Sequence, residues 1–177
     1  MTRLLIMLAV LVPAALSAQA PKPAPPSAPN HAAHHAPSDS AFAATQQRGK
    51  QVMGVDQYTS THVFETLPDG GRIILQRDAS DPVDERTIRA HMRDIAERFS
   101  KGDFELPGLV HDMQVPGTAL MAQKKRRIRY MAMNMPRGAE VRIRTRDAEA
   151  LKAVHEFLAF QRLDHRAPEV NASASPE

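Results

Sequence analysis

The sequence predicts an α+β domain in which two β-β-α units form a four-stranded antiparallel sheet with two helices packed on one face. Three observations carry that expectation. Leu67-Pro68-Asp69-Gly70-Gly71 and Met135-Pro136-Arg137-Gly138-Ala139 both have the composition of tight turns. Each is flanked by runs rich in β-forming residues. Each is followed by a stretch whose apolar residues recur at helical spacing. Two hairpins and two amphipathic helices bury their apolar faces most simply as one sheet covered on one side.

The chain of 177 residues begins with the pattern of a secretory signal, Met1–Ala20. Arg3 supplies the positive end, Leu4–Val12 the apolar run, and Ala18-Gln19-Ala20 the small-residue cleavage site. Pro21 makes the bond after Ala20 awkward to cut, so cleavage after Ala18 is an alternative. The apolar run is far shorter than the ~20 residues that span a bilayer. The expected product is a soluble periplasmic or secreted protein with no membrane span. The absence of cysteine excludes disulfides, thiolate metal sites and a Cys nucleophile. The net charge of +3 is densest at Lys124-Lys125-Arg126-Arg127. That run reads as a solvated approach to a strand, and export argues against a nucleic-acid partner.

Residues 21–44 are rich in Pro, Ala, Ser and His and read as a disordered linker. Within them, His31, His34 and His35 can weakly chelate Cu(II), Ni(II) or Zn(II), or are simply polar residues tolerated in a low-complexity tail. A single α+β domain is expected over 45–167 and a disordered tail over 168–177.

Taken in order, a short helix from Phe42 to Gln51 is stopped by Gly54. Thr59–Leu67 and Arg72–Arg77 form the first hairpin. A type I turn closed by Gly70 at φ > 0 would set Val63 opposite Leu75 and Glu65 opposite Ile73, with His62, Phe64 and Ile74 on the other face. Asp84 is the expected cap of a helix carrying Ile88, Met92, Ile95 and Phe99 on one stripe, ended by Gly102. Asp103–Ala122 then holds two Pro-Gly steps, and Leu109, Val110 and Met121 suggest that it is packed. In the second hairpin, Arg127–Met135 and Glu140–Thr145, the same register sets Met133 opposite Val141 and Met131 opposite Ile143. Arg142 and Arg144 face water. Asp147 caps a last helix whose stripe is Leu151, Val154, Leu158 and Gln161, widened by Phe157.

Five histidines of the folded part could carry chemistry: His62, His91, His111, His155 and His165. With Met113 as a weaker candidate, they suggest a site for copper or zinc, since imidazole and thioether donors suit such ions. His155 and His165 are about 15 Å apart along one helix and cannot share an ion without others. Met131, Met133 and Met135 point three thioethers to one side of a strand, and core packing beside Val141 and Ile143 is the expectation for them. His155-Glu156 begins a zinc-protease pattern, but Ala159 stands where the second His is required. No phosphate loop and no G-x-S-x-G elbow is present. Asp94, Glu97, Asp103, Asp112 and Asp164 could orient a histidine. The remaining readings are an envelope interaction module acting through Arg142 and Arg144, and a small enzyme using a His–carboxylate pair.

The run from Met53 to His165 resembles a family of small exported bacterial proteins with no settled function. The likeness rests on Met53-Gly54-Val55-Asp56-Gln57, Thr61-His62-Val63-Phe64, the Leu67–Gly71 turn, Ile88-Arg89-Ala90-His91, Val115-Pro116-Gly117, and His155–Gln161 with Asp164-His165. Some members of that family carry the label aspartate carbamoyltransferase. The residues here do not support that activity. The enzyme's phosphate motif is Ser-Thr-Arg-Thr-Arg at a helix start, whereas Arg144-Thr145-Arg146 lacks the Ser-Thr and ends a strand.

Overall fold

The computed structural model describes residues 38–169. The expected signal, the histidines of the expected linker and most of the expected tail lie outside the described residues. Along the chain run α1 (Asp39–Met53), β1 (Ser60–Leu67), β2 (Gly70–Arg77), α2 (Pro82–Lys101), α3 (Glu105–His111), α4 (Thr118–Gln123), β3 (Ile128–Met135), β4 (Gly138–Thr145) and α5 (Ala148–Asp164). The strands form one antiparallel sheet in the order β1-β2-β4-β3. The α+β expectation of two β-β-α units is met.

Each long helix starts at a side chain that accepts from otherwise free backbone N–H groups. Ser38 accepts from Ala41 ahead of α1, so that helix begins inside the stretch read as linker. Asp81 accepts from Val83 and Asp84 ahead of α2. Asp84, the expected cap, instead lies 3.2 Å from Arg77. Pro82 explains the shift, because proline at the first helical position makes the residue before it the cap. Asp147 caps α5 as expected. The Pro-Gly segment is not slack: it folds into α3 and α4, burying Val110 and Met121 while Leu109 stays exposed.

Both hairpins close one residue tighter than the turn sequences suggested. Leu67 pairs with Gly70 and Met135 with Gly138, so His62 lies opposite Leu75 and Phe64 opposite Ile73. In the second turn the left-handed residue is Arg137, at φ 58, and Gly138 already belongs to the strand. The shift by one residue moves a whole set of side chains to the other face. Ala132 therefore lies opposite Val141 and Tyr130 opposite Ile143. Met131 and Met133 pair with Arg142 and Glu140 instead, and they are 47% and 43% exposed. The expectation that these methionines fill the core is overturned.

The core lies between the sheet and the helices. Phe64, Ile73, Leu75, Ile128, Val141 and Ile143 meet Ile88, Met92, Phe99, Val154, Phe157 and Leu158. Helix α2 lies mainly on β3 and β4, and α5 mainly on β1 and β2, so each helix covers the hairpin of the other unit. Gly117, at φ 80, lets the loop before α4 touch α5. A Cβ there would meet the Ala153 carbonyl and come within 3.1 Å of the Phe157 nitrogen. Gly117→Ala is expected to lower stability by about 2–5 kcal/mol, combining left-handed strain with a backbone clash, read as a lower urea midpoint.

Among the described residues, the other face of the sheet carries no helix. Arg72 bonds Glu65 and lies 3.9 Å from Glu140, and Arg142 bonds Asp69. These long side chains lie across the sheet and bury Ile74 and Glu140 beneath them.

Candidate functional site

Four of the five histidines line one cavity of about 60 Å³ between β1, α2, α3 and the end of α5. His62 projects from the core face of β1, two residues before Phe64. His91 lies on α2, one turn before Ile95. His111 is the last residue of α3, and His165 follows the last turn of α5. The rest of the wall is largely apolar: Phe64, Leu75, Met92, Phe99, Phe157 and Met53 are among its residues.

The rings form a short stack. His62 lies over His165 with centroids 5.1 Å apart and planes 20° apart, and Phe64 is 5.3 Å from His165. His111 meets His165 edge-on at 5.1 Å. Burial, aided by the nearby His91, pushes the His62 pKa down to about 4. Burial does the same to His91, also to about 4, against a small opposing pull from Asp94. His165 is held well below its ordinary value by burial and by its neighbours His62 and His111. These three imidazoles are neutral at physiological pH.

His111 is fixed more tightly. Its side chain is 1% exposed, with Nδ1 2.5 Å from Asp164 Oδ2 and Nε2 3.0 Å from Gln161 Oε1. Nδ1–H donates to the Asp164 carboxylate, and Nε2 meets the side-chain amide of Gln161, which can present either its oxygen or its nitrogen. Burial alone would raise the Asp164 carboxyl. The hydrogen bond and charge of His111, the Thr45 hydroxyl and the Arg48 guanidinium outweigh it and hold that carboxyl below its usual value. Thr45 and Arg48 come from α1, and Arg48 Nε also donates to the Val110 carbonyl at 2.7 Å. Helix α1 thereby clamps the ends of α3 and α5 together. A His–carboxylate pair does exist, but both ring nitrogens are engaged and the ring presents no free atom to a substrate.

Two polar atoms on residues of the cavity wall lack a hydrogen-bond partner: His165 Nδ1 and Gln57 Oε1. The amide nitrogen of Gln57 donates to the Met53 sulfur at 3.6 Å. Buried polar atoms left in this condition are uncommon.

His155 lies elsewhere. Its Nε2 is 3.0 Å from the carbonyls of both Leu67 and Gly70, so it ties α5 to the first turn. Met113 is half-exposed beyond α3 and does not line the cavity. Among the described residues, no three His, Cys, Asp or Glu side chains are grouped so as to hold an ion as they stand. Sequence reasoning picked out the histidines but missed Met53, Gln57 and Gln161 as wall residues. It considered Asp164 only as a partner for the adjacent His165, whereas Asp164 holds His111. No helix of the described residues is long and apolar enough to cross a membrane. No family model, no curated protein and no solved structure matches the chain.

Proposed function

We propose that this domain is an exported binding protein for a soft transition-metal ion, copper before zinc, taken up in the cavity walled by His62, His91 and His165. The observation that carries the reading is His165 Nδ1, unpartnered in a cavity that also holds the imidazoles of His62 and His91, the fixed ring of His111, and the thioethers of Met53 and Met92. Neutral imidazole is the ligating form, and burial keeps it so. Nitrogen and thioether donors without a carboxylate suit copper better than zinc. The size agrees. About 60 Å³ takes an ion with little water, whereas drug-sized ligands fill roughly 300 Å³ or more. An ion must draw His62 and His165 out of their stack to reach both. His111, tied to Asp164 and Gln161, serves as a fixed wall.

The test uses the mature chain with His31, His34 and His35 replaced by alanine, titrated with Cu(I), Cu(II) and Zn(II) against a chromogenic chelator. One equivalent of copper is expected to bind. His62→Ala or His165→Ala is expected to weaken it by more than the ~100-fold that outer-shell partners cost. His155→Ala should leave it unchanged. A linker-substituted chain that binds none of these ions would overturn the proposal.

A further inference from the structure

The helix-free face of the sheet ends in a concentration of arginine. Arg126, Arg127, Arg129, Arg142, Arg144 and Arg146 line one shallow depression together with Asp69 and Asp147. Both acids are already engaged. Asp147 holds Lys124 at 3.1 Å and caps α5, while Asp69 is shared between Arg142 and Arg144. Arg129 and Arg146 are exposed and make no ion pair with a described residue. Arg129 also lies directly across the ladder from Arg144. Like charges directly opposite each other destabilise a strand pair, and an anion placed between them removes the penalty.

The second observation is apolar. Met131 and Met133 continue the same face of β3 one and two steps inward from Arg129, and both are close to half-exposed. Flexible thioethers beside arginines on an open, uncovered sheet suit a surface that offers phosphate at its boundary and hydrocarbon just beneath. A soluble polyanion would use the arginines and leave the methionines idle.

We infer that this face docks on an anionic lipid surface, with Arg129, Arg144 and Arg146 on lipid phosphates and Met131 and Met133 reaching between the headgroups. The association is peripheral, and it is independent of the histidine-lined cavity, which opens on the opposite side of the sheet. Each arginine near such a surface contributes about five-fold in partitioning.

Co-sedimentation of the mature protein with phosphatidylcholine vesicles, with and without phosphatidylglycerol, tests this. Binding is expected only when phosphatidylglycerol is present, and it should fall steeply with added salt. Replacing Arg129, Arg144 and Arg146 together by alanine should weaken it about 100-fold. Met131→Ser with Met133→Ser should weaken vesicle binding while leaving any binding to soluble polyphosphate as it was. The helix-side pair Lys101→Ala with Lys152→Ala should change nothing, and circular dichroism should show every variant folded. Equal binding to both vesicle types overturns the inference. So does binding to polyphosphate or duplex RNA that matches the vesicles and ignores the methionines. Salt dependence of the unaltered protein decides the electrostatic part without any variant.

Discussion

With no ion added, the protein is expected to lose a large share of its stability between pH 6.5 and pH 4. In the unfolded chain each imidazole takes its proton near pH 6.5. Folded, His62 and His91 resist protonation until about pH 4, because burial disfavours the charged ring. Between those values the unfolded chain binds more protons than the folded one. Stability is therefore complete above about pH 6.5 and falls as pH falls through the window. Two such shifts are each of the order of 3 kcal/mol, and His165 adds to the same direction. That is a large share of the roughly 5–15 kcal/mol that stabilises a typical domain. Urea midpoints measured with chelator present across the window would show it. His62→Phe, which keeps an aromatic ring against Phe64 and His165, should flatten the curve. A midpoint that stays level from pH 7 to pH 4 would rule the account out.

The second large effect is at Phe99. It is buried at the meeting of four aromatic rings, with Phe104 4.4 Å away and Tyr130 and Phe157 each at 5.7 Å, and it also lines the histidine cavity. Phe99→Ala removes a full ring from a well-packed site whose neighbours are held by helix and sheet. The expected loss is about 3–5 kcal/mol, visible as a lower urea midpoint at unchanged slope. Leu109→Ala, at an exposed apolar position nearby in sequence, should stay within about 0.5 kcal/mol of the parent. If both substitutions cost the same, the assignment of the core is wrong.

How much of this was legible depends on the range of each interaction. The alternation Val141-Arg142-Ile143-Arg144 and the stripe Ile88, Met92, Phe99 declare strand and helix within a few residues, and they were readable. Turn register was not. The expectation put the left-handed conformation on Gly138, where it costs least, yet the fold puts it on Arg137. One residue of shift then turned Met131 and Met133 from core to surface. The histidines could be named as candidates, but their meeting could not be foreseen. His111 reaches Asp164 across 53 residues, and the clamp that holds them comes from α1. Nothing in local spacing encodes that contact. The basic run Lys124–Arg127 is the solvated approach to β3 that its composition suggests, with Lys124 tied down by Asp147 and Glu149. The arginines beyond it gain meaning only when β4 lays Arg142 and Arg144 beside β3.

Because α2 rests mainly on β3–β4 and α5 mainly on β1–β2, each β-β-α unit covers chiefly the hairpin of the other. The molecule is an internal dimer closed by a single chain. Cut in the segment between α3 and α4, each fragment would expose a bare hairpin and an unpaired apolar helix, and only the other fragment offers the surfaces that match. The same exchange makes reciprocal swapping between two copies geometrically natural, since a second chain presents the identical complement. Each half therefore completes its core only when the distant half is in place.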